Sequence, residues 1–207
     1  MIKAVLGFMK TLLWNIRMRR KYSRGNRMGR RVMFSRDTVI GSGCNIGDDV
    51  VFGRGVRLGN NVTIGAGAVL ERMEVNDNSV VEGRVIITGH GVGTIRVGRE
   101  SFIGHNTVLD FSDNITIGDY VHVGYNQFWT HSSAMQALRG NRLSDKDKRS
   151  RPTAPIVIEN NVYVGVQSTI YPGITISHHA IIAPNSAVTK DVESFTLVGG
   201  APAKFIK

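Results

Sequence analysis

Cysteine is nearly absent from this chain: Cys44 stands alone among 207 residues. No intrachain disulfide framework can form, and the lone thiol fits a reducing compartment. Acid is absent from residues 1–36, which hold eleven Lys or Arg, while the rest of the chain holds fifteen basic and sixteen acidic residues. The net charge of +10 therefore belongs to the N-terminal segment, and the body is about neutral. No recognition motif accompanies that charge, so nucleic acid is set aside as a partner. An uninterrupted apolar run is also lacking. Lys3 and Lys10 break the one near the N-terminus, which argues against a spanning helix. Arg19, Arg20 and Lys21 follow it where a signal peptide would show small residues.

What the chain does have is a six-residue beat. From Ile40 it reads Ile-Gly-Ser-Gly-Cys-Asn, Ile-Gly-Asp-Asp-Val-Val, Phe-Gly-Arg-Gly-Val-Arg, Leu-Gly-Asn-Asn-Val-Thr and Ile-Gly-Ala-Gly-Ala-Val. The beat returns at Val97, Ile103 and Leu109, shifts phase to Ile117, Val123 and Trp129, and resumes from Ile158 through Val188. A six-residue period is too long for an amphipathic helix and too regular for a sandwich. Short strands with Gly, Asn and Asp turns fit it. Each unit makes one side of a triangular coil, and its opening residue points inward. Coils then stack roughly 4.8 Å apart. No coil buries its apolar edge alone, so many must stack. Cys44 takes the small inward position of its unit and is read as a buried core thiol.

Three regions are expected: residues 1–36 as a basic amphipathic helix and linker, 37–198 as the repeat domain, and 199–207 as a tail. In the first, Ile2, Val5, Leu6, Phe8, Met9, Leu12, Leu13 and Ile16 fall largely to one side, with Lys3, Lys10 and Arg17 on another. Two readings stay open. The helix packs on the repeat domain or a neighbouring subunit, or it lies peripherally on an anionic membrane.

The beat stops between Trp129 and Pro155 and then restarts in register. A long insertion that spares the scaffold is usually functional. This one, loop 132–154, is polar, and His131 stands at its entrance. An imidazole there suits a general base that takes a proton from a hydroxyl group. Backbone N–H groups at a corner can supply donors for an oxyanion.

The repeat resembles the hexapeptide family, which implies an all-β, left-handed parallel β-helix. The hand follows from the resemblance, not from the period. The order Thr116-Ile-Gly-Asp-Tyr-Val, Thr130-His131, loop, Pro155-Ile-Val-Ile, Tyr171-Pro-Gly-Ile-Thr-Ile, Ala187-Val-Thr-Lys-Asp-Val and Val198-Gly-Gly-Ala-Pro-Ala-Lys-Phe-Ile is similar to the sugar and polysaccharide O-acetyltransferases of that class. The resemblance implies His131 as catalytic base, with Asn106 and Asp110 as substrate-binding candidates. Asp110 has two further readings, orienting His131 or turning a corner. By position, Gly165, Ala183, Thr189 and Lys190 would line a coenzyme A groove.

Acetyl-CoA is then the co-substrate and no metal is required. The partners implied are a homotrimer and a sugar or lipid-linked glycan acceptor. The location is the cytoplasm, with a peripheral place at the inner membrane face if the basic helix binds there. Two alternatives stay open, an amino-acid or amino-sugar acetyltransferase and a non-catalytic β-helix scaffold. Related β-helix proteins hold zinc between subunits with paired histidines separated by four intervening residues, and that pairing does not occur here.

Overall fold

A computed structural model describes residues 13–140 and 151–207. The fold is an all-β, left-handed parallel β-helix with three flat faces. Face one starts at Arg27–Met28, face two at Met33–Phe34 and face three at Val39–Ile40. The chain visits them in that order, coil after coil. Strands of successive coils pair in parallel, Asn45 with Thr63, Val51 with Val69, Val39 with Arg57, and the final strand Lys204–Phe205 folds back antiparallel on Leu197–Gly199.

This register stacks like on like. On face one Ile46, Ile64, Val81, Ile103, Val123, Val164, Ile182 and Val198 form one inward column. On face three Ile117 sits over Ile158, and Ile158 over Ile176. All these side chains are buried. Each contributes about 1.5–3 kcal/mol of transfer free energy. The small inward positions carry hydroxyls that bridge coils: Ser79 Oγ donates to the Gly98 carbonyl at 2.7 Å, and Ser101 Oγ to the Gly118 carbonyl at 2.8 Å. Cys44 occupies such a position. It is buried, its Sγ lies 3.3 Å from the Gly59 carbonyl, and burial pushes its thiol up. That is the inert core thiol expected.

Two boundaries differ from the sequence reading. The coils begin at Arg27, upstream of residue 37, because Met28 and Phe34 already keep the six-residue phase and pair with Ile46 and Phe52. Flanking arginines hide that phase. The inward residue before the insertion is Phe128, not Trp129: Phe128 sits between Leu109 and Ile170. The corner before it is one residue short. Buried Asn126 fills it, accepting from the Ser168 N–H at 2.7 Å and donating to the Val164 carbonyl at 3.2 Å.

Residues 13–22 are helical and close the first coil. Met18 and Tyr22 are buried, and Trp14 packs beside them. The Tyr22 ring stacks on Phe34 at 6.2 Å, and its hydroxyl donates to the Thr38 carbonyl at 2.9 Å. Leu13 and Ile16 face outward, so over these residues the buried stripe is Trp14, Met18 and Tyr22. The rest of the expected stripe, Ile2 to Leu12, lies outside the described residues. Among the described residues no helix is long and apolar enough to cross a membrane.

The helix therefore plugs the open end of the prism. Tyr22→Ala should lower unfolding free energy by about 3 kcal/mol, whereas exposed Arg20→Ala should change it by less than about 0.5 kcal/mol. Urea denaturation of both variants reads this directly.

Candidate active site

Face two includes the strand Val108–Asp110 and, one coil on, Gln127–Phe128. The edge after these strands is where the chain leaves the prism. The insertion departs and returns through a narrow stem. The Ala154 N–H donates to the Thr130 carbonyl at 2.9 Å, and the Ser132 N–H to the Pro152 carbonyl at 3.2 Å. His131 pairs with Thr153 across this stem. Beyond it, face three resumes with Ile156 stacked on Ile115. Within the insertion Ala134–Leu138 forms one short helix, and residues 141–150 lie outside the described residues.

Asp110 is fully buried at this edge, and His131 is mostly covered. His131 Nδ1 lies 2.6 Å from Asp110 Oδ2. The same oxygen accepts from the Thr130 N–H and the Thr130 hydroxyl, both at 2.9 Å. Asp110 Oδ1 accepts from the Ser112 hydroxyl at 2.7 Å and the Ser112 N–H at 3.2 Å. A buried carboxylate so surrounded is an acceptor on every side. It therefore fixes the proton of His131 on Nδ1 and leaves the Nε2 lone pair facing away from the prism. Arg151, at the exit of the insertion, places Nη1 2.7 Å from that Nε2. The Trp129 ring stands edge-on to the imidazole, 5.9 Å between centroids.

Burial by itself pushes the Asp110 carboxyl up. The Ser112 hydrogen bond, the hydrogen bond and charge of His131, and the Thr130 hydroxyl outweigh it and hold the carboxyl below its ordinary value.

The structure sorts the other expected residues onto two edges. Thr189 and Lys190 are exposed on the same edge as His131, farther along the prism. Lys190 borders a groove of about 450 Å³ that Lys204 and Phe205 also line. Asn106, Gly165 and Ala183 lie instead on the edge between faces one and two. Asn106 turns that corner with φ of 57° and accepts from Arg84 Nε at 2.9 Å. Gly165 is required by stacking, since a Cβ there would meet the Pro184 nitrogen at 2.6 Å and the Ile182 carbonyl oxygen at 2.8 Å. Within one chain these three do not join His131. Sequence reasoning does not find Ser112, Thr130 or Arg151. Thr130 and Ser112 look like ordinary corner residues, and their contact with Asp110 needs the register of two coils. Among the described residues no cluster of three or more His, Cys, Asp or Glu side chains could hold a metal ion.

Two family models match the chain. The bacterial transferase hexapeptide model (six repeats) covers residues 37–72, and the hexapeptide repeat of succinyl-transferase covers 155–190. Both models are of hexapeptide repeats, so the chain carries that repeat near each end of its β-helix. Among similar proteins, a chloramphenicol acetyltransferase of Klebsiella aerogenes is 53% identical over 51 residues, 25% of this chain and 24% of that protein. The galactoside O-acetyltransferase of Escherichia coli is 28% identical over 135 residues, 64% of this chain and 62% of that one. A solved galactoside acetyltransferase in complex with coenzyme A superposes with a TM-score of 0.55 at 27% identity, covering 66% of this chain and 64% of that one. The chain thus spans about a quarter of the chloramphenicol acetyltransferases it matches.

Because the Asp110 carboxyl is held down in the folded protein, the folded state binds fewer protons than the unfolded chain, whose Asp titrates near about 3.9. Its contribution to stability is complete above that value and is lost as pH falls through the lower, folded value. Asp110→Asn should remove this acid-side component, so the difference in denaturation midpoint between wild type and variant should narrow below about pH 4.

Proposed function

We propose that this protein is an acetyl-CoA-dependent O-acetyltransferase acting on a hydroxyl of a sugar or glycan precursor, with His131 as general base. The observation that carries this reading is the His131–Asp110 pair. A buried, fully hydrogen-bonded carboxylate holds Nδ1–H and so dedicates Nε2 to accepting a proton. The acceptor hydroxyl gives that proton to Nε2 as its oxygen attacks the thioester carbonyl. The tetrahedral intermediate collapses with cleavage of the C–S bond. The imidazolium then returns its proton to the departing thiolate, so no nucleophilic side chain is needed. The galactoside relative, matched over 135 residues, supports an oxygen acceptor over an amine.

The division of site residues between two edges supports a homotrimer. The Asn106, Gly165 and Ala183 edge of one copy would face the His131 edge of the next. Acetyl-CoA would then lie between them, with Thr189 and Lys190 beside its phosphates. The exposed Arg17, Arg20, Lys21 and Arg24 near the end plug leave peripheral membrane contact as a further proposal.

His131→Ala should lower kcat about 10²–10⁴-fold with unchanged folding, followed as thiol release from acetyl-CoA over neutral, acidic and amino sugars and chloramphenicol. Full activity in the variant, or turnover confined to amines, would contradict the reading. An interface site makes a second demand. His131→Ala and Ala183→Trp, each inactive, should regain about a quarter of wild-type activity when mixed by co-refolding, since one random interface in four unites two intact edges. No recovery in demonstrably mixed trimers would place the site within one subunit.

A further inference from the structure

The nitrogen that must receive the proton is already engaged. Arg151 Nη1 donates to His131 Nε2 at 2.7 Å, and a guanidinium carries five N–H donors and no acceptor. Arg151 Nε is buried without a partner among the described residues. The neighbouring carboxylates have other partners: both oxygens of Asp110 serve Ser112, Thr130 and His131, and Asp113 Oδ2 accepts from the Thr153 hydroxyl at 3.0 Å. A positively charged fork thus lies against the base with part of its donor set unsatisfied.

A neutral acceptor would have to displace Arg151 from Nε2 and leave the guanidinium with nothing in return. An acceptor bearing an oxyanion beside its reactive hydroxyl would give Arg151 two oxygens in the planar geometry it fits best. The same contact would free Nε2 for the hydroxyl proton. We infer that Arg151 is an acceptor-recognition residue, and that the acceptor is an acidic glycan whose carboxylate or phosphate draws Arg151 off His131. This inference rests on the acetyl-transfer reading above for its reaction, but anion capture at Arg151 can be read without turnover.

The test follows the His131 imidazole by NMR in ¹⁵N-histidine-labelled protein, assigned with His131→Asn, during titration at constant ionic strength. The probes are glucose, glucuronate and glucose 6-phosphate, and the two acids separate a carboxylate from a phosphate source. At least one acid should shift the His131 nitrogens, and glucose should not. Arg151→Gln should abolish the response, and Arg151→Lys, which keeps charge but loses the fork, should leave it weak. In acetyl transfer, the preferred acid should exceed glucose at least about tenfold in kcat/KM. Arg151→Gln should bring that ratio near one, mainly through a raised KM for the acid. Equal shifts with glucose, an unaltered response in Arg151→Gln, or an equal loss of kcat on acidic and neutral acceptors would overturn the inference. An acid-specific shift lost in Arg151→Gln, with no acceptor acetylated, would uphold anion capture and sink the acetyl-transfer reading.

Discussion

Coil-on-coil register is the constraint on which everything else in this molecule depends. Each strand is too short to be stable alone, and it persists because its backbone groups bond to the coils before and after it. Once Ile103 is set over Val81 and under Val123, every other residue of that coil has a fixed height and a fixed edge. Small residues are then obligatory where backbones nearly touch, as at Gly165. Buried hydroxyls are tolerated because the next coil supplies a carbonyl, as for Ser101.

The same register assembles the polar site. Asp110 and Thr130 are twenty residues apart in sequence and adjacent in space because one ends, and the other closely follows, successive strands of face two. The Asp110 carboxylate is tolerated at full burial only because Ser112, Thr130 and His131 all donate to it. The insertion does not disturb this, since its stem closes within two residues and face three resumes one coil higher. A rigid prism is a suitable support for the base proposed at His131, which must keep one tautomer.

Most of the fold is legible in the amino-acid sequence, because the inward column and the hexapeptide period are the same physical fact. Legibility fails where the period is obscured. Met28 and Phe34 sit in phase but among arginines, which conceals the first coil. The short corner filled by Asn126 moves the inward position from Trp129 to Phe128. His131 stands out because the beat breaks beside it. Asp110 is only one candidate among corner acids until the two strands are registered. Arg151 carries no signal in the sequence, since its role depends on how the insertion returns to the prism. The N-terminal charge alone leaves membrane contact and packing both open. The described helix packs, through Met18 and Tyr22, and turns most of its basic side chains outward.

The central claim is that acetyl transfer takes place at His131, on the edge between faces two and three. A crystal structure with coenzyme A bound tests it most directly. The account predicts the coenzyme A sulfur within about 3–4 Å of the place where an acceptor oxygen on His131 Nε2 would sit. It also predicts the pantetheine arm running against Gly165 and Ala183 of a second copy. Coenzyme A bound with its sulfur remote from His131, or wholly against one subunit's end groove near Lys204, would contradict it.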